Sequence, residues 1–227
     1  MTALTALLAT RLRRASAPSS SSRAAPLDLA ALVGAAGWAR LPAAVQRRFG
    51  CAHGDTTYIG HLELGCSRIG ALYALATRLF GGPLTRIQAS GVTTTVRVSD
   101  DGRGGVVWER GFHRNAMLGA NHVRTVRSTK QLDADGRLFE RTDGGLSMAL
   151  DVFEERGSLV FQSRGFSLVW GRLRLPVPAL LTPGTCRVVH TDLGHGFFRF
   201  TLSMVHPLWG ETFHQSGVFA DPCESAS

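Results

Sequence analysis

Lysine is almost missing from this chain: of its twenty-five basic residues, Lys130 is the one that is not arginine. A net charge of +8 would ordinarily raise a nucleic-acid partner. The arginines, however, are spread singly along the chain, with one cluster at Arg11, Arg13 and Arg14. No stripe of basic and aromatic residues forms, so no nucleic-acid partner is expected. Acid is missing from residues 1–27, and the first carboxylate is Asp28. Arginine and serine without acid is the composition of an organellar transit peptide. A disordered, alanine-rich extension is the plainer reading. Residues 1–27 are therefore set apart, residues 28–220 are read as one β-rich domain, and residues 221–227 as a tail. The expected compartment is the cytoplasm, or an organelle if the extension is a transit peptide.

Cys51, Cys66, Cys186 and Cys223 show no C-x-x-C spacing, which removes the usual zinc ribbon and redox pair. They read as core thiols of a reduced protein. No apolar stretch approaches the roughly 20 residues of a membrane helix, so no transmembrane segment is expected. The histidines lack H-E-x-x-H spacing, and His61 and Glu63 share one face of a strand rather than a helix turn. A G-x-S-x-G elbow is missing, and Gly102, Gly104 and Gly105 belong to a turn rather than a phosphate loop. No metal and no cofactor are expected.

What the chain does have is alternation. Leu41, Val45 and Phe49 recur at i, i+4, i+8 behind Pro42, predicting a helix. Tyr58–Cys66 alternates as a strand. A second helix is predicted from about Arg68 to Phe80, with Ile69, Leu72, Tyr73, Ala76, Leu79 and Phe80 on its buried face. From Val92 to Phe219 the period is two, broken by turn signals such as Asp133-Ala134-Asp135-Gly136. Sequential hairpins without interleaved helices exclude a parallel α/β sheet. The fold expected is mainly β: an antiparallel meander of about eight to ten strands curled into a lipocalin-like barrel, with one or two flanking helices. Glycines inside strands (Gly60, Gly111, Gly165, Gly217) suit the curling. The alternative is a START-like helix-grip fold, although its C-terminal gripping helix is missing. Three prolines bar Leu175–Gly184 from a central strand. It reads either as a packed connection or as a cover over a barrel mouth.

Trp108, Arg110 and Phe112 share a face with Val106, which sets one arginine among apolar side chains. A buried guanidinium costs several kcal/mol unless it is paired. Glu140, on a face with Leu138, is the expected partner; the acidic head of a ligand is the other.

Trp108-x-Arg110-x-Phe112, Ser128 with Leu138-x-Glu140, the proline run from Leu175 to Pro183, Gly196-x-Phe198-x-Phe200, and Pro207 with Gly210 resemble the DUF4166 family from about Leu41 to Val218. The resemblance implies a mostly bacterial domain that occurs alone or behind a nicotinamide-dependent, saccharopine-dehydrogenase-like oxidoreductase. It implies no activity for the domain itself. His190 departs from the pattern where an acid is expected, and Gln215-Ser216 where an aromatic is expected before Gly217.

The site expected is a ligand cavity lined by Arg110, Glu140, Trp108, Phe112, Phe198, Phe200 and His190. The function expected is non-catalytic binding of a small ligand, apolar or amphipathic, with an acidic head as one version. The alternatives are an accessory or substrate-presenting module for an oxidoreductase partner, and a barrel enzyme using acid–base chemistry.

Overall fold

A computed structural model describes residues 26–50, 55–78, 84, 86, 88–113, 123–171 and 173–222. Three short helices come first: α1 (Leu29–Val33), α2 (Ala35–Arg40) and α3 (Ala43–Gly50). Then follow β1 (Thr56–Cys66), α4 (Arg68–Thr77), β2 (Ala89–Asp100), β3 (Val106–His113), β4 (Val123–Leu132), β5 (Leu138–Thr142), β6 (Leu146–Glu155) and β7 (Ser158–Trp170). After β8 (Leu173–Val177) comes a short 3-10 turn, Ala179–Leu181, and the chain finishes with β9 (Thr185–Gly194), β10 (Phe197–His206) and β11 (Gly210–Ala220).

All pairings are antiparallel, and the sheet closes through β1–β11 and β6–β7 into a ten-strand barrel with β8 as an extra strand. Closure rules out the open, helix-gripping sheet. β1 shows how the alternation becomes a wall: Tyr58, Gly60, Leu62, Leu64 and Cys66 are buried, while Ile59, His61 and Glu63 are exposed. At the β1–β11 seam the strands press so closely that only glycine fits. A Cβ at Gly60 would stand 2.3 Å from the Val218 carbonyl oxygen, and one at Gly217 would stand 2.3 Å from that of His61.

β7 forks. Leu159–Gln162 pairs with β9 in the barrel wall, but from Phe166 onward the same edge is taken by β8. Pro176 sits in β8, an edge strand, where its missing N–H costs no ladder bond. The wall therefore splits at one end, and the segment from the 3-10 turn to Gly184 runs across the split. The Thr212 hydroxyl donates to the Pro183 carbonyl and ties that segment to β11.

The opposite end is plugged. Asp28 caps α1 by accepting from the Ala31 N–H. Leu41, Val45 and Phe49 are all buried, as their spacing predicts, and join a core with Trp108, Phe161 and Phe198. The helices α1 and α2 escape the sequence reading because each is under two turns long and shows no clear period.

The buried face of α4 differs from the expected one. Gly70 and Ala74 point inward, whereas Leu72 and Leu75 are exposed, and Leu79 and Phe80 lie outside the described residues. Close approach decided this. A Cβ at Gly70 would sit 2.1 Å from the Thr212 carbonyl oxygen, so α4 lies on β11 through its small residues.

Candidate functional site

Sheet register assembles a charged cluster on the inner wall. Lys130 on β4 stands directly across from Glu140 on β5, and Ser128 stands across from both Trp108 and Thr142. Arg110 reaches the same carboxylate from β3, two residues beyond Trp108. Glu140 Oε1 accepts from Ser128 Oγ at 2.5 Å and from Arg110 Nη2 at 3.3 Å. Its Oε2 lies 2.9 Å from Lys130 Nζ. The three charged side chains are only 8 to 14% exposed.

One carboxylate thus serves two cations. Burial alone would raise the Glu140 carboxyl, but Lys130, Arg110 and the Ser128 hydroxyl together bring it down to about 2. Lys130 is also lowered from its ordinary value: burial lowers it, Arg110 adds to that, and Glu140 opposes both. Aromatic faces meet the ammonium, with Trp108 at 4.7 Å and Phe161 at 5.5 Å from Nζ to ring centroid.

Beside the cluster, His190 sits in an aromatic cage. Its ring centroid is 4.9 Å from Phe49, 5.5 Å from Phe200, 5.9 Å from Trp108, 6.1 Å from Phe198 and 6.2 Å from Phe161. Burial, then the charges of Arg48, Lys130 and Arg110, push it well below the usual histidine range, so it is neutral. Its Nδ1 has no hydrogen-bond partner among the described residues, and neither does Gln215 Oε1. Arg48, from α3, lies 3.8 Å over the Phe198 ring and donates to Asp221 at 2.6 Å, locking the helical plug to the chain after β11.

Three compartments with shared lining residues lie in the interior. The innermost, about 20 Å³, lies among Arg48, Tyr58, Phe198 and Phe219. The middle one, about 50 Å³, is walled by Lys130, Glu140, Arg110, His190, Gln215 and Cys186. The third, about 160 Å³, lies at the fork of β7, with Phe166, Leu168, Val177, Leu181 and Met204 around it and Glu140 at its inner end. Glu140, Met148 and Met204 line both the middle and the outer spaces. Burial and the nearby Glu140 push the Cys186 thiol up to about 12, so it stays protonated.

Of the seven residues expected to line a cavity, Trp108, Arg110, Glu140, His190 and Phe200 meet in or beside the middle compartment. Phe198 lines the innermost space, and Phe112 is buried in the apolar core without lining any of the three. Lys130 was missed. Its signal was nonetheless present: a single lysine among arginines, in phase with Val126 and Ser128 on an inward-facing strand. Gln215 was noted as a departure from the family pattern rather than as a lining residue. No group of three or more His, Cys, Asp or Glu among the described residues is placed to hold a metal ion. No helix among them is long and apolar enough to cross a membrane.

A family model, that of a domain of unknown function (DUF4166), matches residues 41–219, most of the chain. The chain belongs to that family. No curated protein matches it.

Proposed function

We propose that this DUF4166 domain holds one small amphipathic guest, with an anionic head against Arg110 and Lys130 and an apolar body toward the β7 fork. The observation that carries this reading is the pair of buried cations sharing one carboxylate at the wall of a compartment. A buried charge without its own counter-ion is costly, and an incoming carboxylate supplies one. Arg110 has five N–H donors and places one hydrogen bond on Glu140 among the described residues, so donors remain for a second acceptor. His190 and Gln215, whose Nδ1 and Oε1 have no hydrogen-bond partner among the described residues, line the same compartment.

Size narrows the guest. An apolar cavity of about 150 Å³ takes benzene. The outer space of about 160 Å³ with the middle one of about 50 Å³ therefore suits a monocyclic or medium-chain carboxylic acid. A longer chain would leave through the mouth. Acid–base catalysis is the weaker reading, because a carboxyl held at about 2 is a poor proton carrier near neutral pH. Glu140 acts as counter-ion to the cluster. An accessory role beside an oxidoreductase rests on the fusions that the resemblance implies, and no feature of the interior favours it.

Calorimetric titration with decanoate and with methyl decanoate tests the reading. The acid is expected to bind the wild type, and both Arg110→Gln and Lys130→Met should weaken it at least tenfold. Either variant should leave the ester's weaker binding little changed. Raising the pH through the lowered range of Lys130 should also weaken the acid, since the ammonium loses its proton there. Equal decanoate affinity in a folded Arg110→Gln protein, or no binding by the wild type, would sink the proposal.

A further inference from the structure

Exposed large apolar side chains gather at one end of the barrel. On the ribbon beyond the fork, register pairs Phe166 with Val177, Leu168 with Leu175 and Trp170 with Leu173. With a side-chain period of two, all six lie on one face. That face starts as core at Phe166, passes through the cavity wall at Leu168 and Val177, and leaves the protein at Trp170, which is 87% exposed. Leu180 and Leu181 continue the rim on the 3-10 turn, and the Leu180 carbonyl accepts from Tyr73 of α4. Leu72 and Leu75 are exposed on α4 itself. Ring contacts from Tyr73 to His206 and from His206 to Trp209 place the β10–β11 turn, with exposed Leu208 and Trp209, at the same end. An isolated surface leucine needs no explanation, but a contiguous rim with two tryptophans does.

We infer that this rim docks on the surface of an anionic phospholipid bilayer, with the mouth of the cavity turned toward the lipid. The charges around it complement such a surface. Arg68 and Arg78 lie at the two ends of α4, Arg86 is close enough to Cys66 to act on its charge, and Arg174 is on β8; all four are exposed, against exposed Asp143 and Glu211. The apolar groups project from four elements around an opening, which suits insertion among headgroups better than a flat protein–protein contact. Tryptophans belong at the lipid–water boundary, where an apolar ring can keep its N–H wet. The opening itself leads to an apolar cavity. The inference extends the guest-binding reading, since a bilayer is where a sparingly soluble acid would be found, but its test is independent of any guest.

The full chain should co-sediment with vesicles of phosphatidylcholine containing one-third phosphatidylglycerol, and much less with phosphatidylcholine alone. Its tryptophan emission should shift to the blue on binding. Substituting Trp170, Leu173 and Leu175 together by serine touches only exposed positions, so the variant should fold. It should lose at least tenfold in vesicle affinity while decanoate titration is unchanged. Equal sedimentation of the triple variant would assign binding to another region, such as the arginines at positions 11, 13 and 14, and would overturn the inference. So would a stable wild-type dimer that the triple substitution dissolves, because a second copy would then be the occupant of the rim. Loss of decanoate binding alone would count against the guest and leave the docking result standing.

Discussion

At the plugged end, Phe49 enters the barrel between Trp108, Phe161 and His190, and about 20 Å³ is left unfilled. At the forked end, the wall parts, and about 160 Å³ opens under exposed leucines and tryptophans. Both ends are built from the same alternating strands. They differ because α1–α3 supply large apolar side chains to fill one, whereas α4 meets the other through Gly70 and Ala74 and brings no bulk inward. A barrel of this strand number has to be filled or left hollow by what the connections contribute. The charged cluster sits where the filled half gives way to the hollow one.

The largest effect that separates the halves should come from Glu140→Gln. The change leaves Arg110 and Lys130 facing each other without their carboxylate, and breaking a buried pair on one side costs about 3–5 kcal/mol. For a domain of this size, each kcal/mol moves Tm by roughly 2–4 °C. The Tm followed by circular dichroism should therefore drop by about 6–20 °C. Leu181→Ala at the hollow end should move it by no more than about 2 °C, because Leu181 is 67% exposed. Similar losses from the two substitutions would erase the distinction between filled and hollow halves.

Acid should act next, at the border between the two halves. His190 is neutral when folded, with its proton affinity depressed, so acidification below its ordinary value of 6.5 favours the unfolded chain, which takes up the proton. Its contribution is complete above 6.5 and is lost as pH falls. Glu140 adds a second loss between its ordinary 4.5 and about 2, where the paired carboxylate is finally protonated. Both losses have the same sign. His190→Phe keeps an aromatic in the cage and removes the first of them. Unfolding free energies from urea titrations between pH 7.5 and 4.5 should, below pH 6.5, fall by about 1.4 kcal/mol per pH unit more in the wild type than in the variant. Parallel curves would mean that His190 charges in place.

How much of this was legible beforehand follows from the range of each signal. Strand alternation is local, so β1 was read as a strand over Tyr58–Cys66 where the structure has Thr56–Cys66. The pairing of Arg110 with Glu140 was reachable too, because an arginine on an apolar face demands a carboxylate and Leu138-x-Glu140 offered one. The face of α4 was not reachable. Periodicity counts its leucines, but the Thr212 backbone that excludes any Cβ at Gly70 comes from a strand some 140 residues later. Lys130 was passed over for a different reason. Its rarity was read as a statement about surface charge, whereas its phase with Val126 and Ser128 placed it inside. A lysine suits that place where another guanidinium would not: it is compact, and it can shed its proton when no anion is near.

The smallest expected signal comes from the thiols. Cys186 lines the middle compartment, 2% exposed and held protonated, while burial also raises the thiol of Cys66, which is buried at the forked end. If the hollow half stays dry down to the charged cluster, a small thiol reagent should leave Cys186 unmodified at pH 8 until the chain unfolds. Peptide-level mass spectrometry after timed quenching reads this at each cysteine. Modification of Cys186 well before global unfolding would show that reagent and water pass Glu140. Such passage would also weaken the electrostatic case for a guest carboxylate, since wet cations have little need of one.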